Sequence, residues 1–408
     1  MSVIQRDNLV NKEHYIQGSD GMYKDYKVKH KELEEFYRTY TPGPDDKINP
    51  PETEIENSIW WTHILYDNAY EYITNNNIEK YTVVVPCYMK PQATDELTIK
   101  EIKKKAVFSV IKQNNDIEEY YNFCFVIAQS QEYLFKEALK DCTHTTYIAL
   151  PDDQVQNIGM KRKAIVELFK TKKIFMVDDD TNCYKYDYLD YFTNKTTGKK
   201  YLKSKGTGNY ARSLAVFQIL AEETFNQDSK CCLCLPANNI ALLNRRVCND
   251  YKSATISGCP CQFFVVNCQR LIENDLNFRD SRVSGHEDLD LAIRMLQRNF
   301  VYRLIGCITF NVGVLIKPVM EQNNDHGYKN IVERFETHFN TMKSQYEGIE
   351  WVNFIREEKD PGNLFEGRGV PNTKLDIRKW KKLNNIVDTD YEHLDVCSKY
   401  VDLFIKNQ

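Results

Sequence analysis

The stretch KKIFMVDDD, residues 172–180, decides how the chain is read. Ile174 to Val177 form a short apolar run of the kind that becomes a buried strand. The run ends on three consecutive carboxylates, Asp178, Asp179 and Asp180. Three like charges at one strand end repel unless a positive group sits among them. A divalent cation is the simplest such group, and hard oxygen ligands suit Mg²⁺ or Mn²⁺. In open α/β sheets the C-terminal ends of strands are also where ligands bind. The competing reading, a solvated acidic turn, has to be weighed against what lies on either side.

Upstream, apolar runs alternate with helical spacing. YTVVVPCYMKP (81–91) reads as a strand closed by Pro86, and 97–113 as a helix. FCFVIAQS (123–130), EYLFKEALKDC (132–142), TTYIALPDD (145–153) and GMKRKAIVELFKTK (159–172) continue the pattern as strand, helix, strand, helix. This alternation predicts an α/β fold with a mainly parallel sheet and right-handed crossovers. Downstream, 193–212 is rich in Lys and Gly without an acid and reads as a mobile basic loop; its charge comes from Lys195, Lys199, Lys200, Lys203, Lys205 and Arg212. A helix is expected at 213–225, strands at 231–244, 261–271 and 300–315, and helices at 285–299, 327–348 and near 390–406. The domain expectation is an N-terminal helical extension (1–78), a central domain (79–348) and a C-terminal extension (349–408). In the first, Trp60 and Trp61 form either a hydrophobic anchor onto the main domain or a stacking platform.

The formal net charge of -4 gives no global signature for nucleic acid, so a polyanion partner needs a local patch. The N-terminal MSVIQRDNLVNKEHYIQ lacks the apolar core of a secretory signal, and no run is long enough to span a membrane. Thirteen cysteines, an odd number, lie mostly in apolar segments and read as reduced thiols rather than a disulfide framework. The expected location is cytoplasmic or nuclear, a viral protein acting inside a host cell included. Cys231, Cys232, Cys234, Cys259 and Cys261 lack the paired turn spacing of a structural zinc site.

Two further motifs carry chemistry. NIGMKRKAIVELF places Gly159, Lys161 and Arg162 at a helix start, where free N–H groups and added cations favour anions. GHEDLDLAIRML (285–296) places Glu287 and Asp288 at another helix start. One carboxylate there can take a hydroxyl proton while the other orients the hydroxyl; helix capping is the alternative. Asp290 reads as a capping or orienting residue.

Together, VVVPCYM, the helix start that runs from Gly159 to Arg162 and the strand ending in DDD resemble the GT-A nucleotide-sugar glycosyltransferases over about residues 80–300. The resemblance implies a GT-A type, Rossmann-like sheet with helices on both faces, and a Mn²⁺ or Mg²⁺ held between the acidic motif and the donor diphosphate. Carried over, Pro86 and Tyr88 border the nucleoside, and Arg162 faces the donor and the acidic motif. Asp178 and Asp180 hold the metal, and Asp179, in the middle position, joins Pro86, Tyr88 and Arg162 in binding the donor. Glu287 and Asp288 serve the acceptor, and His326, before Gly327, completes the metal site; His338 reads as structural. Family members usually carry an acid after the second strand to read the base. Here Gln129 stands there, with Asp152 or Asp153 as alternatives.

GCPCQFFVVN (258–267) together with GHEDLDLAIRML resembles the TET/JBP-associated, base J glucosyltransferase-like branch. That resemblance implies UDP-glucose as donor and a hydroxymethylated base in DNA as acceptor, with loop 193–212 on the phosphates; a glycan or protein hydroxyl is the alternative acceptor. A sugar nucleotidyltransferase is disfavoured because VVVPCYMKP lacks its Gly-rich signature, and a non-catalytic DNA-binding module because both acidic motifs are intact.

Overall fold

A computed structural model describes residues 52–89, 91–105, 107–108, 110–111, 119–179, 181, 187–193, 200–206, 209–237, 253–255, 263–280, 287–309, 337, 340–346, 351–356, 370–375 and 394–406. Helix α1 (Glu52–Asn75) precedes strand β1 (Thr82–Pro86), followed by α2 (Asp95–Ile102), β2 (Phe123–Ala128), α3 (Glu132–Leu139), β3 (Thr145–Leu150), α4 (Ile158–Leu168) and β4 (Lys173–Val177). A hairpin of β5 (Asp187–Thr193) and β6 (Lys200–Gly206) comes next, then α5 (Tyr210–Gln227), β7 (Cys231–Ala237), β8 (Ser253–Thr255) and β9 (Phe263–Asn267). The chain continues through α6 (Cys268–Glu273), α7 (Glu287–Gln297), β10 (Val301–Thr309), β11 (Trp351–Arg356), β12 (Val370–Leu375), β13 (Leu394–Asp395) and α8 (Ser398–Lys406).

Among the described residues the main sheet has nine strands, in the order β13-β8-β10-β7-β9-β4-β1-β2-β3. Pairing is parallel among β4, β1, β2 and β3 and between β7 and β10; only β8 and β9 run against the rest. The α/β class and the Rossmann-like, mostly parallel sheet expected from the sequence are present. Strands β2 and β9 are buried at every position, and β1 and β4 at all but the first, so both faces of the sheet centre are covered. Edge strand β3 is only half-buried, as its place in the order requires. Helix α5 is apolar nearly all round and buried along almost its whole length, which puts it inside the molecule under α1.

The strand order fixes where a ligand can sit. β1, β2 and β3 step outward to one edge, and β4 returns to the other side of β1. The connections on the two sides of β1 therefore diverge, leaving a crevice at the carboxyl ends of β1 and β4. Cys87 and Tyr88 follow β1 there, and Asp178 and Asp179 follow β4.

Several expectations need correction. The helix expected over 97–113 is interrupted after Ile102, because the amides of Lys104 and Lys105 bond three residues back, to Glu101 and Ile102, and tighten the turn; residues 107–108 and 110–111 are helical again. The basic segment 193–212 is not one loop: residues 200–206 are strand β6, and Arg212 lies in α5. The strand expected over 261–271 ends at Asn267, whose side chain accepts from the Arg270 amide and starts α6. Asp180, residues 194–199, Cys259, Cys261, Gly285, His326 and His338 lie outside the described residues.

Candidate active site

Helix α4 is set by its cap. Asn157 is extended, and its side-chain oxygen accepts from the Met160 amide at 3.0 Å, while its amide nitrogen donates to Asp280. This fixes the first turn and points Lys161 and Arg162 into the crevice; both are buried.

Arg162 joins the two acidic motifs. It donates to Asp178 Oδ1 at 2.7 Å and to Glu287 Oε1 at 2.8 Å, so β4, α4 and the start of α7 meet at one guanidinium. Its plane lies among Phe264 at 5.5 Å and Phe278 at 5.8 Å, which keep water from the pairs. Burial works against its charge, but Asp178, Glu287 and Asp288 outweigh that and hold its pKa above the usual range. Burial raises the pKa of Asp178, with Arg162 pulling the other way. Asp288 is pushed up to about 7, first by burial and then by Glu287, with Arg162 opposing. Glu287, Asp288 and Asp290 all fall in the first turn of α7, where the helix dipole favours acids. Asp288 also accepts from its neighbour's amide, Leu289 N, at 2.7 Å.

Asp179 points elsewhere. It accepts from Lys105 Nζ at 2.7 Å and from the Cys87 thiol at 2.8 Å. Burial, then the Asp179 charge, raises the Cys87 thiol pKa. Lys161 donates to the Cys87 carbonyl at 2.6 Å, and its ammonium lies 5.7 Å from the Tyr88 ring centre. Burial lowers the Lys161 pKa to about 8. Pro86 is the last residue of β1, beside Val126 of β2. Behind this strand end Gln131 holds Met89 through both its amide and its carbonyl.

The structure therefore brings together Arg162, Asp178, Glu287 and Asp288, with Pro86, Tyr88 and Asp179 alongside. Gln129 and Asp152 are exposed; Asp152 accepts from the Ser130 amide at 2.9 Å, which lowers its pKa and ties the turn after β2 to the turn after β3. Asp290 is fully buried, accepting from Arg294 at 2.8 Å and from the Tyr346 hydroxyl, so it anchors rather than reacts. Arg212 is withdrawn from any phosphate-binding patch: it pairs with Glu119 and Glu71, each at 2.6 Å. Cys231, Cys232 and Cys234 are buried in β7.

Sequence reasoning missed Lys105, Cys87, Phe264 and Phe278. Lys105 is the last of three consecutive lysines, and only the turn after α2 selects it. Phe264 shares a strand with Phe263, so the apolar run alone does not say which ring faces Arg162.

Among the described residues no group of three or more His, Cys, Asp or Glu side chains is arranged to hold a metal by itself. The donor chemistry nevertheless fits a hard divalent cation. Asp178, Glu287 and Asp288 face one guanidinium, which leaves negative charge in excess, and each has a second oxygen without a partner among the described residues. None of those oxygens is among the sealed, unpartnered atoms, which at this site are Arg162 Nε and Thr181 Oγ1. Mg²⁺-type sites commonly use one or two carboxylates and complete their shell with substrate phosphate and water.

No family model matches the chain, and no curated protein matches it. Among solved structures it is similar to the mannosyltransferase PcManGT from Pyrobaculum calidifontis in complex with GDP-Man and Mn²⁺, at 11% sequence identity and a TM-score of 0.35, with 70% of this chain and 76% of that one covered. Among the described residues no helix is long and apolar enough to cross a membrane.

Proposed function

We propose that the chain is a metal-dependent glycosyltransferase of GT-A type, moving a sugar from a nucleotide-sugar, UDP-glucose in the first instance, to an acceptor hydroxyl. The observation that supports this most is the meeting of Asp178 and Glu287 on buried Arg162 at the crevice between β1 and β4. A donor diphosphate needs a cation at such a switch point, and an acceptor needs a base beside it; the first acidic motif supplies ligands for the cation and the second supplies the base.

In this reading Asp178 and Asp180, with His326, hold Mn²⁺ or Mg²⁺, and Pro86 and Tyr88 border the nucleoside. The metal, when bound, neutralises charge on the leaving diphosphate. Arg162 keeps Asp178 and Glu287 in fixed orientation. Glu287 orients the acceptor hydroxyl, and Asp288 takes its proton as the oxygen attacks the anomeric carbon. The bond to the diphosphate oxygen breaks, the nucleoside diphosphate leaves, and the proton remains on Asp288. A pKa near 7 suits a base that must be ionised yet able to hold that proton. The catalytic unit is assigned to 79–348, with 1–78 and 349–408 as extensions. A hydroxymethylated DNA base is the first acceptor to try, on the strength of Lys199, Lys200, Lys203 and Lys205 without Arg212.

The test is a mass-spectrometric screen of UDP- and GDP-sugars with Mn²⁺, offered hydroxymethylcytosine or hydroxymethyluracil DNA, free sugars and peptides. Expected is a hexose added to one acceptor, with nucleoside diphosphate released. Release of pyrophosphate would assign a nucleotidyltransferase instead, and DNA binding without donor binding a non-catalytic module.

A further inference from the structure

Asp178 and Asp179, the two described aspartates after β4, have different jobs, and the division is visible in what each touches. Asp178 turns to Arg162 and keeps an oxygen open at the crevice. Asp179 turns the other way, onto Lys105 at 2.7 Å and the Cys87 thiol at 2.8 Å. Both partners are shielded: the Lys105 side chain is 7% exposed and Cys87 is fully buried. The backbone repeats the contact, since the Val107 amide donates to the Asp179 carbonyl at 3.4 Å. Lys105 and Val107 thus hold Asp179 by side chain and main chain at once. Cys87 is fixed in turn, its amide on Val126 O at 3.1 Å and its carbonyl under Lys161 Nζ at 2.6 Å.

We infer that Lys105, acting through Asp179 and Cys87, is a positioning residue for the acidic motif: it locks the middle aspartate inward so that Asp178 presents its carboxylate to the divalent cation and donor diphosphate. The reason is geometric. The Thr181 amide donates to the Asp178 carbonyl at 3.1 Å, so the chain turns directly after Asp178, and holding Asp179 inward in that turn leaves the Asp178 carboxylate on Arg162 at the crevice. Without an inward cation three adjacent carboxylates repel, and the turn has no preferred arrangement. The early end of α2 is what frees Lys105 from the helix surface to reach inward; Lys104, one residue earlier, stays exposed and pairs with Glu101. This inference rests on the proposed metal-dependent reading and removes Asp179 from the donor-binding set.

The experiment is Mn²⁺ binding by the full chain, followed by electron paramagnetic resonance of free Mn²⁺, with no turnover required. Lys105→Met leaves Asp179 buried without its cation, and metal affinity is expected to fall about 10–100-fold, the usual loss when a residue supporting a ligand is removed. Lys105→Arg should retain most of the affinity. Adding Asp179→Asn to Lys105→Met removes the stranded charge while the amide oxygen still accepts from Cys87, so the double variant should recover much of the loss. It also stays informative where Lys105→Met alone folds poorly. Wild-type affinity in Lys105→Met, or a double variant weaker than either single one, would overturn the lock and return Asp179 to the ligand set. Absence of Mn²⁺ binding by the wild-type chain would overturn the metal-dependent reading itself, and the lock's role with it.

Discussion

At Asp288 stability and reactivity pull in opposite directions. Its pKa is raised to about 7 by burial and by Glu287, so its ionised form is disfavoured in the folded chain. The sign follows from linkage: the folded state holds this proton more tightly than the unfolded state, so the group's contribution falls as pH rises from about 4 through 7. Asp288→Asn removes that penalty and keeps the bond from the Leu289 amide. At pH 8 its melting temperature should equal or exceed that of the wild type, while transfer falls by about 10²–10⁴-fold, the range for a lost general base. For the wild type, kcat/KM should rise with pH along a limb centred near 7. A flat profile, or a lower melting temperature with transfer intact, would assign Asp288 to helix capping and send the search for the base to Glu287. Arg162 gives a second test at this scale. Lysine carries one point charge and cannot fork to two carboxylates. Arg162→Lys should therefore free Asp178 or Glu287, at a cost of about 3–5 kcal/mol where a buried pair is broken, read as a lower denaturation midpoint.

At the scale of elements, α7 is where the acceptor carboxylates and the packing of the C-terminal half meet. Asp290 is buried beneath the same first turn and accepts from Arg294 and from the Tyr346 hydroxyl, which ties residues 340–346 to the helix that carries Glu287 and Asp288. Arg294 also donates to the Asn277 carbonyl, next to Phe278 on Arg162. Tyr346→Phe should cost about 1.5–3 kcal/mol, the value of a hydrogen bond to a charged group, measured by denaturant unfolding. A stability within error of the wild type would remove this latch. The elements legible in the sequence were those with a single period. β1, β2 and β4 are unbroken apolar runs, and α4 and α7 start on recognisable polar signals. What stayed hidden depends on partners far along the chain. Hairpin β5–β6 sets Asp190 opposite Lys203 and Tyr188 opposite Lys205, a pattern too polar to separate from a loop. Arg212 looked like part of a basic loop because Glu71 and Glu119 lie far upstream. The carboxylates of the site were readable for a local reason, since each follows a strand or opens a helix; the lysine that orders them was not.

At the scale of the whole molecule, both ends of the described chain close over one core. Helix α1 contributes Ile64, Leu65, Ala69, Tyr70 and Ile73 to the buried cluster, and α8 contributes Tyr400, Val401 and Phe404. The two helices meet at Tyr72, whose ring lies 5.7 Å from Tyr400 and 5.5 Å from Phe404 in edge-on geometry. Strand β13 adds Leu394 and Asp395 to the sheet edge beside β8, and Gln227 of α5 donates to the Asp395 carbonyl at 2.8 Å. A segment so placed does not unfold by itself without exposing α1, and α1 covers α5 at the centre of the molecule. Phe404→Ala should therefore destabilise the whole fold by about 3–5 kcal/mol, the range for emptying a buried aromatic site. The loss should appear as a shift of one cooperative transition, followed alike by far-UV circular dichroism and by tryptophan fluorescence. Mn²⁺ affinity of the folded fraction should not change, because the Phe404 ring packs on Tyr72 and Tyr400, away from Arg162, Asp178 and Glu287 among the described residues. A small early transition with the main one unmoved would mean that the C-terminal helix is an appendage with its own stability, and that the catalytic unit ends before it.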